Sequence, residues 1–361
     1  MNDIEYMSLA LKLAESTRGQ TSPNPMVGSV VVNNGAIVGM GAHLKAGEGH
    51  AEVHALTMAG DKAKGGTIYV TLEPCSHFGK TPPCADLIIE HGLKRVVIAT
   101  VDSNPAVSGR GIEKLKKAGI EVVTGVCKKE SDQLNEAFFH FIKNETPFVT
   151  LKSATTLDGK IATTSGQSKW ITGEEARLDA HTYRHSHDAI LVGIGTVLAD
   201  NPSLTTRLPQ GGINPVRVLL DRSLRIPITS KLVQDKEAPT WIFTTEQGSN
   251  EKKLELEELG MVIITLANFS IQSVLKELGK RGIMSVFVEG GAQISGSFLK
   301  EKAVNQVITY IAPKLFGGQA APTAFGGEGV RKVEDALELE IVSVATIGKD
   351  IKIVSYPKEG K

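Results

Sequence analysis

At 361 residues the chain is long for one compact core, and two domains are the natural expectation. Hydrophobic residues make up 41% and charged residues 22%, a balance typical of globular proteins. With 40 Lys+Arg against 40 Asp+Glu the formal charge is zero, which argues against a general nucleic-acid or membrane-surface binder.

The N-terminal MNDIEYMSLALKLAES lacks the basic-then-apolar layout of a signal peptide. No apolar run approaches the ~20 residues needed to cross a bilayer, so a cytoplasmic protein is expected. Met7, Ala10, Leu11 and Ala14, at helical spacing, predict a helix over 4–18. Strands follow at 27–32 and 36–40 around Asn34-Gly35, a strong hairpin signal. A helix is predicted over 50–60, then a strand at 67–72, a helix at 84–91 and a strand at 95–101. A helix at 111–118, a strand at 120–123 and one long amphipathic helix over 128–144 complete an α/β unit. Polar residues and Pro147 end that pattern, so the boundary is placed between residues 145 and 146. The second half offers strands at 148–153, 189–192, 216–220, 240–243, 262–265, 285–288 and 304–311, with helical segments between several of them.

The chemistry of the first half centres on GHAEVHAL and LEPCSHFGKTPPC. His50, Cys75 and Cys84 supply one imidazole and two thiols, a set suited to zinc with a fourth position left for water. Glu52, two residues from His50, points elsewhere on the helix and can serve as a proton shuttle beside the metal. H-x-E…P-C-x-x-C is the signature of zinc-dependent nucleobase deaminases; here the second cysteine arrives after eight intervening residues rather than two. Three other readings stay open. His50 and His54 sit one turn apart, although Ala51 stands where H-E-x-x-H needs glutamate. His77 or His43 could complete a structural zinc site. Cys75 and Cys84 could form a disulfide, which a reducing compartment disfavours. Cys127 has no partner pattern.

In the second half, LVGIGTVLADNPSLTTR, PVRVLLDRSLRIP and SVFVEGGAQISGSF stand out. Glycines between a strand and a helix suit phosphate oxyanions. Gly193-Ile194-Gly195 lacks the third glycine of a dinucleotide fingerprint, and close helix–strand packing explains it equally well.

TSPNPMVGSVVV, GAHLKAGEGHAEVHAL, YVTLEPCSHFGKTPPC and DSNPAVSGRGI together resemble the bifunctional deaminase–reductase family of riboflavin biosynthesis, and the likeness covers nearly the whole chain. It implies an α/β protein: a cytidine-deaminase-like α/β/α sandwich over 1–145 and a dihydrofolate-reductase-like α/β domain over 146–361. The implied cofactors are zinc and NADPH. The implied partner is a diaminopyrimidinone bearing a phosphorylated ribosylamino group, with no nucleic acid or membrane involved and a homo-oligomer formed through the reductase domain. Glu52 is then catalytic and His50, Cys75 and Cys84 hold the metal. Asn24, His43, His77, Lys80, Thr81, Asp102 and Asn104 are candidates for the deaminase substrate. The loop's lysine, hydroxyl and Gly79 suit a phosphate. Family roles carried onto matching positions put Ala154, Trp170, Thr196, Asp200, Ser223, Gly290, Gly291, Ala292, Gln293, Ile294, Ser295, Gly296 and Ser297 at NADPH. They put Lys152, Ser168, Leu204, Arg207 and Glu289 at the reductase substrate. Arg222 and Ser223 are placed to meet a 2′-phosphate, and Arg207 the substrate phosphate. Two alternatives remain: a nucleoside or nucleotide deaminase with a regulatory nucleotide-binding second domain, and a structural zinc module joined to a nucleotide sensor.

Overall fold

A computed structural model describes residues 1–76, 82–102 and 108–358. The chain divides into two compact units, Met1–Glu145 and Thr146–Lys361.

The first unit is built on strands β1 (Gly28–Asn33), β2 (Ala36–Ala42), β3 (Thr67–Leu72), β4 (Arg95–Thr100) and β5 (Glu121–Thr124), in sheet order β2-β1-β3-β4-β5. β1 runs antiparallel to β2 and β3, whereas β3, β4 and β5 are parallel. Asn34 and Gly35 both take positive φ, 49° and 78°, and so close the β1–β2 hairpin. Its helices are α1 (Asp3–Glu15), α2 (Ala51–Ala59), α3 (Cys84–Glu90), α4 (Arg110–Lys117), α5 (Lys128–Leu134) and α6 (Glu136–Asn144).

Alternation along the strands covers both faces of this sheet. Val31, Ile68, Val70, Val96 and Ile98 pack with Leu56 of α2, Ile88 of α3 and Leu115 of α4. Val30, Val32, Tyr69 and Val97 pack with Tyr6, Met7 and Ala10 of α1. The result is the α/β/α sandwich implied by the sequence. Gly41 lets α2 lie directly on β2, since a Cβ there would come within 2.4 Å of the Ala51 carbonyl oxygen. That close seat fixes the start of α2, where the functional residues stand.

The single helix expected over 128–144 is two helices. Asn135 interrupts it at φ −109°, and its side chain accepts from Met26 N and donates to Met26 O, at 2.8 and 2.9 Å. Both bonds satisfy backbone groups of a segment 109 residues away.

The second unit carries β6 (Phe148–Thr156), β7 (Ala189–Gly193), β8 (Val216–Leu220), β9 (Thr240–Thr244), β10 (Val262–Thr265), β11 (Ser285–Val288), β12 (Gln306–Ala312), β13 (Leu339–Ile347) and β14 (Asp350–Pro357). The sheet order is β10-β9-β8-β7-β11-β6-β12-β14-β13. From β10 to β12 all neighbours are parallel, and the C-terminal hairpin β13–β14 adds antiparallel to β12. The sequence reading did not anticipate that hairpin. Helices α7 (Glu174–Ser186), α8 (Ile194–Asp200), α9 (Lys231–Gln234), α10 (Asn250–Glu258), α11 (Ile271–Lys280) and α12 (Ala292–Lys300) complete the unit. Leu151, Leu191, Val218 and Val288 face α11 through Val274 and Leu278. Ile190, Leu219, Ile242 and Phe287 face the opposite layer, with Val197 of α8 and Leu256 of α10. The chain steps from β6 past β11 to β7 and later returns to fill the gap. The strand order therefore switches beside β11, and ligands of such sheets bind beyond the carboxyl ends of the strands at a switch.

Candidate functional site

His50 is the extended residue that caps α2, Cys75 lies just beyond β3, and Cys84 is the first residue of α3. His50 Nδ1 is 3.6 Å from Cys75 Sγ and 3.3 Å from Cys84 Sγ, and all three donor atoms lie within 4.8 Å of one another. Ligands at ~2.3 Å (sulfur) and ~2.0 Å (nitrogen) around a tetrahedral zinc stand about 3.6 Å apart, so the donor set fits the ion. All three cysteines are free, which removes the disulfide reading. The Cys84 thiol and amide and His50 donate to Cys75, and together they hold its thiol well below the usual thiol range against the opposing effect of burial. Glu52, in the first turn of α2, is only 3% exposed and bonds Cys84; burial pushes its carboxyl up to about 7.

His43 is buried edge-on to His50, with ring centroids 5.5 Å apart. Its two nitrogens face Asn24 Nδ2 at 3.0 Å and the Gly49 carbonyl at 3.1 Å. It is thus engaged elsewhere and is not a fourth metal ligand. His54 does not join the cluster. Asp102 follows β4 on the same edge of the sheet as Cys75. His77, Lys80, Thr81 and Asn104 lie outside the described residues.

In the second unit, Glu289 directly follows β11 and is buried against two cations. Arg184 of α7 donates to it at 2.6 and 3.1 Å, and Lys152 of β6 at 3.4 Å. Burial pushes the Glu289 carboxyl up, but Arg184 and Lys152 outweigh it and hold the group well below the usual carboxylate range. Arg184 also donates to the Thr205 carbonyl at 3.0 Å. Arg207 donates through its backbone to His181 Nδ1 at 3.2 Å and through its side chain to Thr205 Oγ1 at 3.2 Å. Leu204 is buried at positive φ, 55°, in the same segment. Burial, then Arg184 and Arg207, lower His181 to about 4. Arg184 and His181 were not singled out from sequence. The signal available was their i, i+3 spacing in HTYRHSH, which puts both on one helix face.

The glycine turn meets the switch point as well. Cβ atoms on Gly193 and Gly290 would press on Ile294, at 2.7 and 2.5 Å, and one on Gly291 would lie 3.8 Å from Thr196 Oγ1. Ala292–Ser297 form the first turns of α12, whose N-cap Gly291 contributes no side-chain cap. Backbone N–H groups at such a helix start suit a pyrophosphate, so this turn fits a dinucleotide. Ser168 donates to Asp200 at 3.4 Å. Trp170 is 61% exposed, with the Arg177 guanidinium 4.4 Å over its ring. Ala154 packs beside the buried cluster of α7 and β12. Ser223 is exposed, and Arg222 is committed to Phe269, donating to its carbonyl and stacking on its ring.

These features define a zinc deaminase unit joined to a reductase unit. Residues 1–100 match the family described as cytidine and deoxycytidylate deaminase zinc-binding region, and residues 147–353 match the RibD C-terminal domain. The riboflavin biosynthesis protein RibD of Bacillus amyloliquefaciens is 53% identical across 99% of this chain and 96% of its own length. That of Aquifex aeolicus is 49% identical across 97% of each. The Acinetobacter baumannii RibD structure superposes with a TM-score of 0.90 at 38% identity, covering 99% of both chains. The Thermotoga maritima diaminohydroxyphosphoribosylaminopyrimidine deaminase/5-amino-6-(5-phosphoribosylamino)uracil reductase superposes with a TM-score of 0.88 at 40% identity, covering 98% of both. The chain belongs to the RibD family of riboflavin biosynthesis proteins, and it is an enzyme with deaminase and reductase activities. Its cofactors are zinc and NADPH. Among the described residues no helix is long and apolar enough to cross a membrane.

Proposed function

We propose that residues 1–145 hydrolytically deaminate a diaminopyrimidinone bearing a phosphorylated ribosylamino group, and that residues 146–361 then reduce its ribosyl group to ribityl with NADPH. The observation that carries the reading is the buried carboxyl of Glu52 beside the converging His50, Cys75 and Cys84 donors. The Thermotoga maritima relative, named for this pair of reactions, supports it.

His50, Cys75 and Cys84 would hold zinc, which when bound lowers the pKa of water towards ~7 and so provides hydroxide at neutral pH. Glu52 takes a proton from the attacking water and returns it to the departing amino group. The C–N bond breaks, ammonia leaves and a carbonyl remains. Asn24 and Asp102 hold the base and sugar, with His43 setting the Asn24 amide. His77, Lys80, Thr81 and Asn104 complete the grip on the phosphorylated sugar.

In the second unit the turn from Gly290 to Ser297 cradles the dinucleotide pyrophosphate, and Thr196, Asp200, Ala154, Trp170 and Ser223 line the rest of the cofactor. NADPH would supply a hydride to the sugar carbon bound to nitrogen; the bond from that carbon to the ring oxygen breaks, and the oxygen takes the proton, leaving the open ribityl chain. Lys152 and Glu289 face that carbon, Ser168 and Leu204 border it, and Arg207 binds the phosphate. Exposed Ile341 and Val344 on edge strand β13 support a homo-oligomer formed through this unit. The free thiols support a cytoplasmic setting.

The test is incubation with the pyrimidinone phosphate with and without NADPH. Ammonia in both and reduced product only with NADPH is expected; no ammonia in either would end the reading.

A further inference from the structure

We propose that Glu73 is a positioning residue for the deamination: its carboxylate locks the Asp102 side of the site to the strand end that carries Cys75. The inference rests on the deaminase reading above. β3 and β4 are parallel neighbours, and Leu72 pairs with Thr100 at their common carboxyl end. Glu73 continues that pairing, its N–H donating to the Thr100 carbonyl at 3.0 Å. Its side chain, only 6% exposed, then turns to backbone amides, the partners it has among the described residues. Oε2 accepts from Asp102 N at 3.3 Å and from Gly109 N at 2.9 Å. Oε1 accepts from Gly111 N at 3.0 Å and from Ile112 N at 3.3 Å.

Two consequences follow. One oxygen accepts from Asp102 on one side of residues 103–107 and from Gly109 on the other, so these two residues are fixed relative to each other. The other oxygen caps α4, whose own N-cap, Gly109, has no side chain to offer. The start of α4 is also seated on the residue between Glu73 and Cys75: a Cβ on Gly111 would lie 2.1 Å from the Pro74 carbonyl oxygen. The metal-ligand strand end, Asp102 and the first turn of α4 therefore move as one body, with Glu73 as its pin. A helix cap alone would need only Oε1.

Glu73→Gln keeps the shape but leaves one acceptor oxygen for two pairs of amides. In the full-length, zinc-loaded enzyme, ammonia release is measured against substrate concentration, together with zinc content and NADPH-dependent reduction of the deaminated substrate. The expected result is a KM for deamination raised about tenfold, with kcat, zinc content and reduction near native. Native KM and kcat at a lowered melting temperature would reduce Glu73 to a cap and overturn the proposal, as would loss of zinc with unchanged KM. Where Glu73→Gln yields no zinc-loaded protein, Glu73→Asp, which keeps the charge at shorter reach, is judged by the same readings. A native enzyme that releases no ammonia sinks the deaminase reading itself. A native enzyme that does, beside an indistinguishable Glu73→Gln, sinks only this one.

Discussion

Asn24 Nδ2 and His43 Nε2 meet at 3.0 Å, and the partner of the other ring nitrogen settles which of them donates. His43 Nδ1 lies 3.1 Å from the Gly49 carbonyl, which only accepts, so Nδ1 carries the proton and Nε2 is the acceptor. Asn24 must therefore donate with its NH₂, which leaves Oδ1 to receive a donor from the substrate. His43→Phe keeps the ring and abolishes both bonds, freeing the Asn24 amide to rotate. The expected outcome is a rise of about tenfold in KM for ammonia release, with zinc content unchanged. An unchanged KM would show that the orientation of Asn24 does not matter.

Glu52→Gln preserves the volume of a side chain that is 3% exposed and removes its capacity to exchange a proton. Ammonia release should fall by roughly 10²–10⁴-fold, the usual contribution of a positioned acid–base group. Bound zinc, measured by metal analysis, should stay at the native level because the three ligands are untouched. NADPH-dependent reduction of substrate supplied already deaminated should be unaffected. Full deaminase activity in this variant would place the proton shuttle elsewhere.

How much of this could be read from the residues follows from which contacts are local. The valine and isoleucine runs of β1 and β4 and the Asn34-Gly35 turn act within a few residues, and their strands were legible. His50, Cys75 and Cys84 were picked out by their motif, and the structure brings their donor atoms within 4.8 Å of one another. Asn135 hides its role: it sits in an unbroken helical pattern, and only Met26, 109 residues away, explains the break. Arg184 is hidden in the same way, since its partner Glu289 is 105 residues distant and only the sheet order unites them. The terminal hairpin was passed over because nearly all of β13 is exposed, so no clean alternation marks a buried face.

Glu289 holds Arg184 and Lys152 together in a setting where each side chain is less than a fifth exposed. Glu289→Gln leaves two buried cations facing a neutral amide. Breaking a buried pair in this way costs about 3–5 kcal/mol. The melting temperature of the second unit should drop, and NADPH-dependent reduction should fall well below a tenth of native. Ammonia release should persist and report that the first unit is intact. Native reduction kinetics would remove Glu289 from the site.

His181 makes the stability of the second unit depend on acidity. The groups facing it are Arg184 on its own helix, Arg207 on the segment after α8 and Glu289 after β11; its ring is buried among them. Burial and the two arginines lower it from 6.5 to about 4, while Glu289 opposes them. A base whose folded-state pKa is depressed binds fewer protons folded than unfolded between those two values, so stability rises with pH across that window. The contribution is complete above pH ~6.5 and is lost on acidification towards ~4, with an upper bound of about 3 kcal/mol. His181→Asn keeps an acceptor near Nδ1 for the Arg207 amide but does not titrate. Denaturant unfolding of the full chain at a series of pH values should show a shallower acid loss in the variant than in the native protein. Parallel curves would mean that His181 is protonated without cost, and that the arginines around it are better screened than their burial implies.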